Sequence, residues 1–204
     1  EFRTLTNKNT SLAAKPALSY LRRRGITRED LLKWKIGYAV DGEYKNRIII
    51  PSFNANGDVN YFVARTYEEA FRKYMNPRAS RDICFNELYI DWDSDLIIVE
   101  GIFDAIVAGN AVPILGSSLR KNSRLIKRIV ENDTPVYIAL DADAEKKAEK
   151  IIQTMLECDI ELYKIDVMGY EDVGSMTKEQ FQKRKLTASF VDTDTRLMQS
   201  VMSI

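Results

Sequence analysis

Histidine is absent from the sequence, and cysteine occurs only at Cys84 and Cys158, 74 positions apart. Together these scarcities exclude a Cys/His zinc site within this chain and argue against a disulfide framework. They also exclude any mechanism that uses imidazole as a base. No apolar run approaches the roughly 20 residues that cross a bilayer, and the amino end, EFRTLTNKNT, lacks the apolar core of a signal peptide. The expectation is therefore a cytoplasmic protein with no membrane partner. Internal repeats and low-complexity blocks are missing as well. Chemistry here must come from carboxylates, amines, hydroxyls or a hard metal ion.

What is present is a globular composition, 45% hydrophobic and 29% charged, on 204 residues, enough for one large core or two small ones. The formal net charge of zero conceals an asymmetry. Residues 1–92 carry 16 Lys/Arg against 11 Asp/Glu, whereas residues 93–204 carry 14 against 19. A basic half suits a polyanion and an acidic half can gather cations, although charge alone leaves chance surface variation open.

The hydrophobic period changes along the chain. Pro16 suits the first turn of a helix running to Arg24, with Gly25 as its stop, and Thr27 can cap a short helix carrying Leu31, Leu32 and Trp34. NRIIIPSF and DVNYFVARTY, joined through Asn56-Gly57, read as antiparallel strands. From about residue 93, continuous apolar runs alternate with amphipathic stretches. DLIIVE, AVPIL, PVYIAL and IELYKIDV are the expected strands; IFDAIVAGN, NSRLIKRIVEN (capped by Asn122) and AEKKAEKIIQTMLE are the expected helices. This pattern predicts a mostly parallel, four-stranded α/β sheet flanked by helices, following an α+β subdomain. The division expected is 1–92, 93–185, and a tail, 186–204, whose mixed pattern specifies no structure.

Two of the predicted strands end in acids. LIIVE delivers Glu100, with Gly101 easing the tight turn and Asp104 one helical turn later. VYIAL delivers Asp141 and, past the small Ala142, Asp143. Ligands of open α/β sheets bind beyond the carboxyl ends of the strands. If these two strands are neighbours, up to four carboxylates meet in one crevice. Their repulsion calls for a cation or shifted pKa values, and Mg²⁺, a hard oxygen-seeking ion, answers it, with Mn²⁺ as a substitute. Either motif alone is common, since Asp is a good helix cap. The pair in this order, each on its own strand-to-helix junction, is far more specific.

VEGIFD followed by ALDAD resembles the Toprim domain shared by DnaG-type primases, type IA and type II topoisomerases and OLD-family nucleases. The first half narrows the resemblance. ALSYLRRRGITREDLLKWKIGYA, NRIIIPSFNANGDVNYFVAR and RKYMNP are similar, in order, to the stretches that precede Toprim in the RNA polymerase domain of DnaG-type primases. The likeness spans about residues 17–180. It implies a DNA primase catalytic core, of phage or mobile-element type or excised from a longer chain. Such a core synthesises short RNA primers on single-stranded DNA by metal-dependent nucleotidyl transfer.

The resemblance also implies roles for individual residues. Glu100, Asp141 and Asp143 match the family's metal-binding acids and Asp104 the acid beside them; all four are the expected catalytic set. GYEDVGSMTKEQF looks like the late acidic motif, which makes Asp172 a further metal ligand, weaker because Gly174 stands where a second acid is usual. Arg47, Arg65 and Lys73 match positions that line the groove for template and nucleotide, and Asn76 follows in the same motif. Ser117, Ser118, Arg120, Lys121 and Arg124 fall in the stretch after the second Toprim strand. A lysine usual after the Phe of CFNELY is replaced by Asn86 and Glu87. The implied partners are single-stranded DNA, ribonucleoside triphosphates, a replicative helicase and a zinc-binding module in cis or in trans, in a bacterial or phage-infected cell. Two alternatives remain open at this point: a Toprim nuclease or nickase using the same metals, and a non-catalytic single-stranded-DNA-binding module.

Overall fold

The computed structural model describes residues 2–5, 12–116, 118–141 and 145–192. The chain divides into two compact units, the first comprising 1–80 with 85–88 and the second 81–84 with 89–204.

The first unit is α+β. Helix α1 (Lys15–Arg23) has Pro16 in its first turn, where the missing N–H costs nothing, and ends before Gly25 at φ 72°. Helix α2 (Arg28–Lys33) starts at Thr27, whose hydroxyl accepts the Asp30 N–H while the Asp30 carboxylate accepts the Thr27 N–H at 2.9 Å. This reciprocal cap makes so short a helix tenable. Strands β1 (Phe2–Thr4), β2 (Gly37–Ala39), β3 (Arg47–Phe53) and β4 (Val59–Thr66) form one antiparallel sheet in that order. The β3–β4 connection turns at Gly57, φ 86°, as the Asn-Gly pair predicts. Alternation separates two faces. Ala39, Ile49 and Ala64 pack with Tyr44 and Phe62 on one, while Tyr38, Ile48 and Ile50 are buried on the other.

The second unit is α/β. Its sheet runs β6 (Ala111–Pro113), β5 (Leu96–Val99), β7 (Val136–Ala139), β8 (Leu162–Lys164), β9 (Ser189–Phe190). The first four are parallel to one another and β9 pairs antiparallel with β8. The expected four-stranded sheet is thus five-stranded and mixed. The added edge strand comes from the tail, where Phe190 lies edge-on to Tyr163 at 5.4 Å. All four residues of β5 are buried, as the continuous apolar run requires of a central parallel strand.

Among the described residues, four α-helices complete this unit: α3 (Ile102–Ala108), α4 (Arg124–Asn132), α5 (Glu145–Leu156) and α6 (Lys178–Leu186). Every residue of α3 is buried, so it is a core helix. Helix α4 corrects a second expectation. Its N-cap position is Ser123, not Asn122, and the Arg124 N–H is accepted by Asp82 at 2.9 Å, a cap supplied 42 residues away. Helix α6 buries only Phe181 from its own sequence. Its last turn is held to the sheet by Lys185, which meets Asp95 at 2.9 Å and lies over the Tyr137 ring at 4.7 Å. Among the described residues, no helix is long and apolar enough to cross a membrane.

Candidate active site

The sheet order decides where a ligand belongs in the second unit. From β5 the chain crosses through α3 to β6 on one side; from β7 it crosses through α5 to β8 on the other. The crossovers diverge between β5 and β7, and an open α/β sheet has its crevice at that switch point, beyond the carboxyl ends. β5 and β7 pair directly, with Val99 opposite Ala139. Glu100 follows Val99, and Asp141 lies two residues beyond Ala139, so both acids stand at the same end of adjacent strands.

Asp104 projects from the first turn of α3 and is 6% exposed. One carboxylate oxygen accepts the Gly101 N–H at 2.7 Å and the other accepts the Gly174 N–H at 2.7 Å. Burial pushes the Asp104 carboxyl above the ordinary range; the two N–H donors pull it down, and the Asp172 and Glu100 charges push it up again. Glu100, Asp104 and Asp172 are therefore one electrostatic neighbourhood. Gly101 serves it by space, not by an unusual turn. Its backbone is extended at φ −120°, but a Cβ there would stand 3.0 Å from the Asp104 carboxylate. Gly174 is tighter, with a Cβ 2.9 Å from the other Asp104 oxygen and 3.3 Å from Phe103 Cβ. A larger side chain at that position would collide with the Asp104 clamp. One oxygen of Asp172, Oδ1, is buried without a hydrogen-bond partner among the described residues.

A residue that the sequence did not single out completes this arrangement. Lys147, in the first turn of α5, places its ammonium 2.7 Å from Glu100 Oε1, with the two side chains 29% and 30% exposed. Its spacing from Glu100, 47 residues on a different element, gives no local signal.

Asp143 and Ser117 lie outside the described residues. Among those described, no group of three or more His, Cys, Asp or Glu side chains is placed to hold a metal ion. The donors that are present nonetheless suit a hard cation. They are all oxygens, the Asp172 and Glu100 charges push the Asp104 carboxyl upward, Asp172 has a buried oxygen with no hydrogen-bond donor among the described residues, and an ammonium already neutralises Glu100.

The expected nucleic-acid residues gather in the first unit. Arg65, on β4, donates through Nε to the Tyr20 hydroxyl of α1 and through Nη1 to the Tyr74 hydroxyl. Its guanidinium lies 4.8 Å from the Tyr74 ring centre and 5.8 Å from that of Tyr20, and the Arg24 guanidinium also lies 5.8 Å from the Tyr20 ring centre. Arg47 donates to the carbonyls of Arg72 and Lys73 at 3.2 and 3.3 Å. Asn76 accepts the Ala64 N–H at 3.2 Å, and Met75 N–H bonds Ala64 O at 2.9 Å. Arg47 and Asn76 thus pin the segment 72–76 along β4 and hold Lys73 exposed upon it. Asn86, in the place of the missing lysine, has φ 59° and accepts the Phe53 N–H, which closes the end of β3.

No family model matches the sequence. Among curated proteins it is 30% identical to a DNA primase of Clostridium acetobutylicum and 26% identical to a DNA primase of Halalkalibacterium halodurans, over 64% of this chain in both cases. It spans 24% and 30% of those two proteins, roughly a quarter to a third of their length. Among solved structures, it superposes on a DNA primase domain from Pseudomonas aeruginosa with TM-score 0.77 at 19% identity, covering 97% of this chain and 79% of that one. The chain has the fold of a DnaG primase catalytic core. The same fold relates it to the DnaG primase catalytic domain bound to single-stranded DNA, TM-score 0.74 at 21% identity over 91% and 75%. It likewise relates it to the zinc-binding and RNA polymerase domains of the Aquifex aeolicus primase, TM-score 0.73 at 23% identity over 87% and 57%.

Proposed function

We propose that the chain is the catalytic core of a DNA primase, a DNA-directed RNA polymerase that makes short RNA primers on single-stranded DNA. The observation that carries this reading is the meeting of Glu100 and Asp141 at the switch point of a primase-type core, with Asp104 and Asp172 beside them. Its second unit serves as a Toprim domain. Glu100, Asp141, Asp143 and, more weakly, Asp172 would hold Mg²⁺, or Mn²⁺ in its place. When bound, such a cation would activate the primer hydroxyl and stabilise the pyrophosphate leaving group.

The chain's own residues do the rest. Asp104 acts by position: it anchors the start of α3 through Gly101 and the turn bearing Asp172 through Gly174. Arg65, backed by two tyrosines, offers a rigid guanidinium for a phosphate, and Lys73 offers a mobile point charge beside it. Arg47 and Asn76 keep the Lys73 segment in register. Template is then gripped through phosphates with little sequence reading. A replicative helicase and a zinc-bearing module, in cis or in trans, are the further partners of this reading.

The deciding experiment incubates the chain with labelled ribonucleotides, Mg²⁺ and a single-stranded template carrying an annealed RNA. Extension products support the primase reading. Cut strands would replace it with a nuclease, and retained DNA without either product would replace it with a binding module.

A further inference from the structure

We propose that Lys147 is an exchangeable counter-charge for Glu100, holding that carboxylate when no divalent cation is bound and releasing it when one is. The inference rests on the reading of the acidic crevice as a cation site.

The geometry carries the idea. Lys147 Nζ stands 2.7 Å from Glu100 Oε1, a full charge-assisted contact at the oxygen that ends β5. Glu100 needs a positive neighbour, because it lies among acids: with Asp172 it pushes the buried Asp104 upward. A cation binding Glu100 at the short distance typical of Mg²⁺, about 2.0–2.1 Å, would meet the ammonium at the same carboxylate. Two positive charges that close repel strongly, the more so in a partly buried crevice. One must leave, and Lys147 is the one able to. Its side chain is 29% exposed on a flexible four-carbon stem, so it can swing to solvent while its backbone stays in α5. Glu100, by contrast, is anchored at the end of a wholly buried strand. The ion pair thus spares the metal-free crevice its self-repulsion, at the expense of weaker cation binding.

The test uses the full chain with Mn²⁺ as the probe. An amine-acetylating reagent at limiting concentration is applied in chelator and in saturating Mn²⁺, and modification at each lysine is read by mass spectrometry. Bound Mn²⁺ is measured on the same samples by electron paramagnetic resonance. Acetylation of Lys147 should rise several-fold with Mn²⁺, while Lys121, paired with Glu157 just beyond the end of α5, should not change. In Glu100→Gln, Lys147 should react at the higher rate with or without metal. Lys147→Met should bind Mn²⁺ about tenfold more tightly, and Lys147→Arg should bind it no more tightly than the parent chain. If Mn²⁺ binds and the Lys147 rate stays unchanged, or if Lys147→Met binds no better, the exchange is wrong and the cation site stands. If the parent chain binds no Mn²⁺, both ideas fall together.

Discussion

Asp104 accepts the main-chain N–H of Gly174 at 2.7 Å across 70 residues of sequence, and no side chain other than hydrogen fits at position 174 without displacing one of them. The contact joins the first turn of α3 to the turn bearing Asp172. It makes the acidic crevice a packed object and not a loose collection of charges.

Loss of this clamp should be costly in stability. Asp104→Ala leaves two buried N–H donors unsatisfied, an expected loss of about 2–5 kcal/mol. Asp104→Asn retains one acceptor and turns an NH₂ toward the other donor, for about 1–3 kcal/mol. Gly174→Ala should cost about 1–3 kcal/mol by overpacking against Asp104 and Phe103. Urea unfolding of the singles and the Asn/Ala double gives the coupling. Because both changes strike one contact, the double should lose less than the sum of the singles. Simple additivity would show that Gly174 acts elsewhere.

Glu100→Gln and Asp141→Asn should each abolish nucleotide incorporation while leaving the unfolding midpoint nearly unchanged. Each keeps side-chain shape and removes a charge that a hard cation requires. Glu100→Gln also frees Lys147, so its circular dichroism spectrum and urea midpoint must be compared with those of the parent. Parent-level turnover in either variant at limiting Mg²⁺ would remove the proposed metal site.

Tyr163, on β8 beside the edge strand β9, offers a pH probe in the second sheet. Its hydroxyl donates to Glu161 Oε1 at 2.7 Å, and that carboxylate, with burial adding to it, pushes the phenol up to about 12. A raised phenol pKa means that the fold favours the protonated form. The contribution is complete below the unfolded value near 10 and is lost as pH rises through about 12. Ultraviolet titration of the folded chain should show this late tyrosine, and Glu161→Gln should bring it back toward the ordinary value. An unchanged profile in the variant would assign the shift to another cause.

The alternation of buried strands and helices was legible because parallel strands covered on both faces must be continuous apolar runs, as DLIIVE and PVYIAL are. The Thr27 cap and the Asn56-Gly57 turn were legible for a similar reason: their signals are local. What escaped the sequence is non-local. Helix α6 shows no apolar stripe, since Phe181 alone is buried and Lys185 ties it down through Asp95 and Tyr137. Strand β9 is two residues long and exists through its pairing with β8. The α4 cap comes from Asp82, and the Glu100 counter-ion comes from Lys147, each more than 40 residues away. The carboxylates of the crevice could be named from their positions at strand ends. Their different settings could not, for nothing in IFDA reveals that Asp104 is enclosed by two glycines while Asp172 keeps a buried oxygen unmet among the described residues.

Arg65 and Lys73 carry like charges in unlike settings, and that difference can be measured. Arg65 is fixed by two tyrosine hydroxyls and stacks on both rings, whereas Lys73 is exposed. Arg65→Ala should therefore destabilise the chain by about 1–3 kcal/mol, and Lys73→Ala should fall within about 0.5 kcal/mol of the parent. Both should weaken single-stranded DNA binding. Each lost phosphate contact should reduce the slope of log affinity against log salt by roughly one unit, uniformly across template sequences. Fluorescence anisotropy over a salt series, alongside urea unfolding, separates the two effects. Arg65→Lys sharpens the comparison: a point charge preserves attraction to phosphate but cannot bridge Tyr20 and Tyr74 together, so affinity at low salt should recover further than stability. If Lys73→Ala leaves the salt slope intact while Arg65→Ala changes it, the phosphate contact belongs to the tyrosine-backed guanidinium alone, and Lys73 returns to ordinary surface charge.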